Sequence, residues 1–245
     1  MNAKTIFSLT VLSAVTVASA VVTTDNTLCR IEVASGTKST IVAVPLVKIG
    51  TADGAIPVTD LVLTDNLSVG DTILHWNGSA WDAWVISGGK WTPTVISEGS
   101  KNSTSAPAAG TALARGDAIW VNRANPTVTE DGVTRAKPFF IYGQVATTDS
   151  PATLPEIVPG AYTMMGNTAL EPVAINSITF NGTPKKGDKI AIATTKGIGA
   201  KEYTYNGTKW AEATLALDSN GVLRPTVTET AATIPAGQGF WYISK

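Results

Sequence analysis

Residues 70–81, Gly70-Asp71-Thr72-Ile73-Leu74-His75-Trp76-Asn77-Gly78-Ser79-Ala80-Trp81, place two turn signatures around one alternating stretch. In a Gly-Asp pair the glycine accepts positive φ and the carboxylate can bond its own backbone, so the pair feeds the chain into the strand that follows. Asn-Gly is the strongest two-residue hairpin signal, because a type I′ turn needs positive φ at both central positions. The stretch therefore predicts strand, tight turn and returning strand, with Trp81 on the return.

The same landmarks come back in the same order. Gly187-Asp188-Lys189-Ile190 precedes Asn206-Gly207-Thr208-Lys209-Trp210. Late in the first half stands Gly116-Asp117-Ala118-Ile119-Trp120-Val121, and late in the second Gly237-Gln238-Gly239-Phe240-Trp241-Tyr242. Upstream, Pro57-Val58-Thr59-Asp60-Leu61 is echoed by Pro172-Val173-Ala174-Ile175. From Gly70 to Gly116 is 46 residues and from Gly187 to Gly237 is 50, spacing that predicts a duplicated module. On this alignment Trp81 matches Trp210 and Trp120 matches Trp241, and both pairs read as core positions. Ile119/Val121 and Phe240/Tyr242 alternate with the intervening Trp120 and Trp241, the period of a sheet.

Helices find little support. Thr and Val are frequent, Gly and Pro punctuate the chain, and no long window carries apolar residues at helical spacing with caps. The expected fold is all-β: two related antiparallel modules of sandwich or small-barrel type, with little helix apart from a signal peptide. Residues 21–146 form the first module and 160–245 the second, joined by a linker at 147–159 that holds Pro151, Pro155 and Pro159. Ser97 to Gly110, rich in Ser, Ala and Gly, is a surface loop. Lys137-Pro138-Phe139-Phe140-Ile141-Tyr142-Gly143 has no counterpart after Trp241, so the first module gains an extra strand that is free to pack against the second.

Residues 1–20 read as a signal peptide: Lys4, an apolar run from Ile6 to Val17, then Ala18-Ser19-Ala20 as the cleavage box, which starts the mature chain at Val21. Export to a periplasm, cell envelope or extracellular space follows. No later run is long and apolar enough for a spanning helix, so stable membrane insertion is not expected. The 19 acidic residues slightly exceed the 18 basic ones, of which Lys4 lies in the leader, and this balance offers no basic field for nucleic acid. Cys29, the single cysteine, has no internal disulfide partner and reads as a small buried hydrophobe.

Catalytic signatures are missing from the sequence. His75 is the only histidine and falls at an ordinary strand position. Asp71, Asp117 and Asp188 sit in turns where local hydrogen bonding accounts for them. There is no phosphate loop, nucleophile elbow or zinc motif, so no catalytic residue, metal site or cofactor is assigned and the chain is not expected to be an enzyme. Seven tryptophans remain. Trp76, Trp84 and Trp91 belong to the first half alone and are the candidates for an exposed aromatic binding surface, of the kind that stacks on sugar rings.

Gly-Asp-x-Ile, Asn-Gly-Ser/Thr-x-Trp and the closing Gly-x-Gly-Phe-Trp together resemble exported bacterial β-rich repeat proteins of unassigned function. The likeness spans residues 40–245, implies localisation and fold, and carries no site residue. The expected role is a structural or self-associating protein of envelope, matrix or filament type, with the chain itself as partner. The alternative is a carbohydrate-binding or adhesion module that uses exposed tryptophans on surface glycans.

Overall fold

The computed structural model describes residues 7–8, 18–22, 28–33, 39–51, 54–62, 67–96, 104, 106–108, 110–146, 153–193, 200–217 and 223–245. The first half runs β1 (Phe7–Ser8), β2 (Ala18–Val22), β3 (Leu28–Val33), β4 (Ser39–Ala43), β5 (Ile56–Pro57), β6 (Thr72–Trp76) and β7 (Trp81–Ser87). It continues with β8 (Lys90–Thr94), β9 (Ala112–Leu113), β10 (Ala118–Asn122), β11 (Thr127–Glu130), β12 (Val133–Ala136) and β13 (Phe139–Gln144). The second half holds β14 (Tyr162–Gly166), β15 (Val173–Ala174), β16 (Lys189–Ala193), β17 (Ala200–Tyr205), β18 (Trp210–Leu217), β19 (Leu223–Glu229), β20 (Thr233–Ile234) and β21 (Gly239–Ile243). Helix is confined to α1 (Val58–Leu61) and a 3-10 turn at Ile175–Ser177 among the described residues. The protein is all-β and built from two related antiparallel modules.

In the first module a five-stranded sheet, ordered β4-β10-β6-β7-β8, faces a smaller layer ordered β1-β2-β3-β13. Ile73, Ile86 and Val121 from the large sheet meet Ile31, Phe139 and Ile141 from the small one in a single apolar core, the two-layer solution that lets each sheet bury one face. The extra strand β13 thus closes the core of its own module rather than packing on the second. Its register with β3, Phe139↔Val33 through Gln144↔Leu28, turns Phe139 and Ile141 inward.

The second module is built on a six-stranded sheet, β14-β21-β16-β17-β18-β19, with β15 and β20 paired beside it as a short ribbon. Irregular segments cover it: Leu154, Ile157, Ile175 and Phe180 pack on Ile190, Trp210, Phe240 and Tyr242. The segment read as a linker is therefore part of a core where it is described. Ile157 N–H donates to the Asn181 carbonyl at 2.9 Å, and Leu154 is buried. Residues 147–152 lie outside the described residues, as does most of the loop from Ser97 to Gly110.

Turn chemistry explains the landmarks. In Ser68–Asp71, Ala114–Asp117, Lys185–Asp188 and Pro235–Gln238 the fourth N–H returns to the first carbonyl at 2.9–3.2 Å. Glycine holds the third position with φ between +71° and +105°, the preference of a type II turn. In the three aspartate copies a carboxylate oxygen also accepts the first residue's N–H, at 2.8–3.0 Å, which closes the turn a second time.

The Asn-Gly hairpins differ from expectation. Residues 77–80 form a four-residue loop with positive φ at Gly78 but not at Asn77, so the turn is not type I′. Asn77 acts through its side chain, whose Oδ1 accepts the N–H groups of Ser79 and Ala80; Asn206 does the same for Thr208 and Lys209. The type I′ pattern, positive φ at both central residues, occurs instead at Gly88-Gly89 and Asp131-Gly132.

Topology also shifts one landmark by a strand. β6 and β16 both lie beside the closing strand of their module, β10 and β21, but β6 enters its Asn-Gly hairpin at once whereas the chain after β16 runs through β17 first. Trp81 and Trp210 are thus not equivalent: Trp210 is buried in the second core, while Trp81 packs outside the first. Trp120 and Trp241 do correspond, each third in its strand.

The modules meet backbone to backbone. Ala43 N–H donates to the Gly237 carbonyl at 2.9 Å and, with the roles exchanged, Gly166 N–H donates to the Gly116 carbonyl at 2.8 Å. Ala43 and Gly166 end equivalent strands, and the two glycine carbonyls belong to equivalent turns. This is the reciprocal pattern of a two-fold interface, here within one chain. A Cβ at position 166 would lie 2.5 Å from the Asp117 carbonyl oxygen and 2.7 Å from the Ala43 Cβ, so the approach requires glycine. Gly166→Ala should accordingly destabilise the protein by about 1–3 kcal/mol in urea unfolding, the range for overpacking; an unchanged midpoint would contradict this junction.

Candidate functional site

The three tryptophans expected to form a surface do not form one. Alternation along β7 turns Trp84 into the first core, where it is 3 % exposed. Trp91 is 5 % exposed and donates its indole N–H to the Val62 carbonyl at 2.6 Å. Trp76 points to the opposite face of the sheet, toward the second module, and its Nε1–H donates to the Tyr162 carbonyl at 2.9 Å.

That opposite face holds the main side-chain cluster outside the two cores. Trp81 stands at its centre, edge-on to Trp76 (5.4 Å between centroids), Trp120 (6.1 Å) and Trp241 (5.7 Å). Such T-shaped contacts bring the positive ring edge to the negative ring face. Ile41, Ala118 and Met164 lie beneath. Tyr162, 6.4 Å from Trp241 and 58 % exposed, brings the seam to solvent. Sequence reasoning took Trp81, Trp120 and Trp241 for core. The signal it passed over is that Trp120 and Trp241 fall out of phase with their inward-facing neighbours, which leaves both matched rings free to pack on Trp81.

A second constellation surrounds the aspartates. Asp71 is fully buried; its Oδ1 accepts Ala124 N–H at 2.7 Å and its Oδ2 accepts Arg123 Nε–H at 3.1 Å. Asp188, equally buried, uses Oδ1 for Lys245 N–H at 2.9 Å and Oδ2 for the Tyr242 hydroxyl at 2.5 Å. Ala124 and Lys245 each lie four residues after the matched tryptophan of β10 or β21, so the same carboxylate oxygen clamps the same backbone position in both modules. Only the third partner differs: a guanidinium in one, a phenol in the other. Neither Arg123 nor Tyr242 was singled out by sequence reasoning, because their partners lie more than 50 residues away.

Electrostatics follow from these contacts. Burial opposes ionisation of Asp188, yet the hydrogen bonds from Lys185 N–H, Tyr242 and Lys245 N–H together hold its carboxyl below the ordinary value. Burial, then the bond to Asp188 and its charge, push the Tyr242 phenol up. Burial pulls Arg123 down, opposed by Asp71. Burial also raises the Cys29 thiol to about 11, partly offset by the Arg30 N–H, which keeps it a poor nucleophile.

His75 lies across from Asp82 in the β6–β7 ladder, and its Nδ1 is buried with no hydrogen-bond partner among the described residues. Burial lowers the imidazole, opposed by Asp117 first and Asp82 second, while burial raises Asp117, opposed by the Ala114 N–H and then by His75. Burial leaves the two less charged than free histidine and aspartate would be. Among the described residues no three His, Cys, Asp or Glu side chains gather as a metal would need, and no helix is long and apolar enough to cross a membrane. Compared with known proteins, the chain matches no family model, no curated protein and no solved structure.

Two outcomes follow for the clamps. Asp71→Asn should cost about 3–5 kcal/mol in chemical denaturation, since it removes the carboxylate that neutralises the buried Arg123 guanidinium; a loss near zero would contradict the clamp. Because the folded carboxyl of Asp188 titrates below its ordinary value of 3.8, its contribution is complete above that pH and is lost as pH falls further. Wild-type stability should therefore drop in that acid range, and Asp188→Asn should show a shallower drop; identical pH profiles would sink the assignment.

Proposed function

We propose that this chain is a non-enzymatic, exported structural subunit that associates with copies of itself in the cell envelope or extracellular space. The observation that supports this best is the disposition of its strand edges. The outer edges of both large sheets carry a proline, Pro93 in β8 and Pro225 in β19, whose missing N–H stops a ladder from growing. β3, by contrast, is covered along its outer edge by Ala18–Val22, and cleavage after Ala20 removes the larger part of that cover. A subunit guarded at two edges and opened at a third on export is suited to defined assembly rather than aggregation. The aspartates are engaged as turn and strand clamps, which supports a scaffold rather than a reaction centre.

Light scattering and negative-stain electron microscopy of the exported chain, Val21–Lys245, test this directly. Defined oligomers or filaments are expected, and a monomer at every accessible concentration would contradict the proposal.

A glycan-binding reading draws on one observation, the exposed ring of Tyr162 at the mouth of the aromatic seam, a platform on which a sugar ring can stack. On that reading, oligosaccharides shift tryptophan emission in the wild type but not in Tyr162→Ala. Absence of any shift across a glycan panel removes it.

A further inference from the structure

We infer that two exported copies pair through β3, antiparallel, about a two-fold axis at Ile31. The inference rests on the self-association proposed above and adds the strand and its register.

β3 lies between β2 and β13. The far side of β13 is occupied by bridges from Gln144 to Val47 and from Ile141 to Val62, so among the described residues this layer extends only at β3. In the uncleaved chain β2 fills that position, with Ala18↔Val33, Ser19↔Glu32, Ala20↔Ile31, Val21↔Arg30 and Val22↔Cys29. Cleavage after Ala20 strips the partners from Ile31, Glu32 and Val33 and leaves only Val21 and Val22 opposite Arg30 and Cys29, a two-residue remnant that the second strand displaces. Their backbone groups are then open to another strand.

The side chains of β3 select that strand. Arg30 is exposed on the outer face, its guanidinium 4.3 Å over the Phe140 ring, and Glu32 follows two residues on along the same face. Across from them β2 presents only Val21 and Ser19, neither charged. A second β3 with its axis at Ile31 sets Arg30 against Glu32 twice, Ile31 against Ile31 and Cys29 against Val33. Moving the axis to Arg30 or to Glu32 sets like charges opposite each other, and a one-residue slip turns the core-facing side chains outward. The antiparallel direction and the partner position at Ile31 are those β2 already uses, so the ladder needs no rearrangement of β3. The pairing is isologous, as two copies of one surface require.

The test is charge reversal read by light scattering, on protein exported so that cleavage occurs in the cell. Wild type should dimerise, while the uncleaved chain should not. R30E and E32R should each weaken dimerisation by roughly tenfold or more, because two attractive pairs become two repulsive ones. An equimolar mixture of the two variants, and the double variant R30E/E32R, should regain it. E32R leaves the Arg30–Phe140 contact intact and so controls for misfolding in R30E. If wild type associates but neither variant changes this, self-association stands and the β3 pairing is overturned. If both variants weaken association and the mixture does not recover, the register is overturned. A wild type that stays monomeric overturns both proposals.

Discussion

Two backbone hydrogen bonds, Ala43 to Gly237 and Gly166 to Gly116, set the distance between the modules, and most of what distinguishes this molecule depends on that distance. At main-chain contact there is no room for a Cβ at Gly166. Side chains on either side are pushed outward along the shared face, where Trp76, Trp81, Trp120 and Trp241 interlock edge to face. The second module contributes Trp241, Tyr162 and Met164 to this seam and the first contributes the rest. Each closing strand thus has two tasks: Ile119 and Val121, or Phe240 and Tyr242, fill a core, while the tryptophan between them joins the modules.

The two modules share a two-fold pattern inside one chain, with differences at equivalent positions. Asp71 and Asp188 clamp equivalent backbone positions, but Arg123 completes one clamp and Tyr242 the other. The buried pair in the first module carries a charge that needs its partner, whereas the phenol in the second is neutral and only donates. Asp117 and Gln238 diverge in the same way at equivalent turns. Asp117 closes its own turn, whereas Gln238 reaches across the junction to the Ile41 carbonyl at 2.9 Å.

Much of the fold was legible because it rests on local signals. Gly-Asp turns, strand alternation and the order of landmarks lead to two antiparallel modules without knowledge of any long-range contact. What escaped the reading depends on partners distant in sequence. The Asn-Gly landmark marks a loop in both modules, but its distance from the preceding Gly-Asp differs, and the longer interval holds an additional strand, β17. Trp84 and Trp91 lack counterparts in the second half and so looked available for a surface. Their burial follows from partners the local pattern does not show: a core shared with β3 and β13, whose pairing joins residues more than 100 positions apart, and the end of α1, where Val62 takes the Trp91 indole N–H. The same limit hid the seam, since phase along β10 and β21 tells which face a tryptophan occupies but not what lies against it.

Native-state hydrogen exchange at Ala43 and Gly166 tests the central claim most directly. If the reciprocal pair holds the modules as one body, both amides should be protected to the level of the buried strands β10 and β21, and should open only with global unfolding. Exchange of these two amides through a low-energy opening, while β10 and β21 remain protected, would mean that the modules separate in the native state and that the junction does not organise the structure.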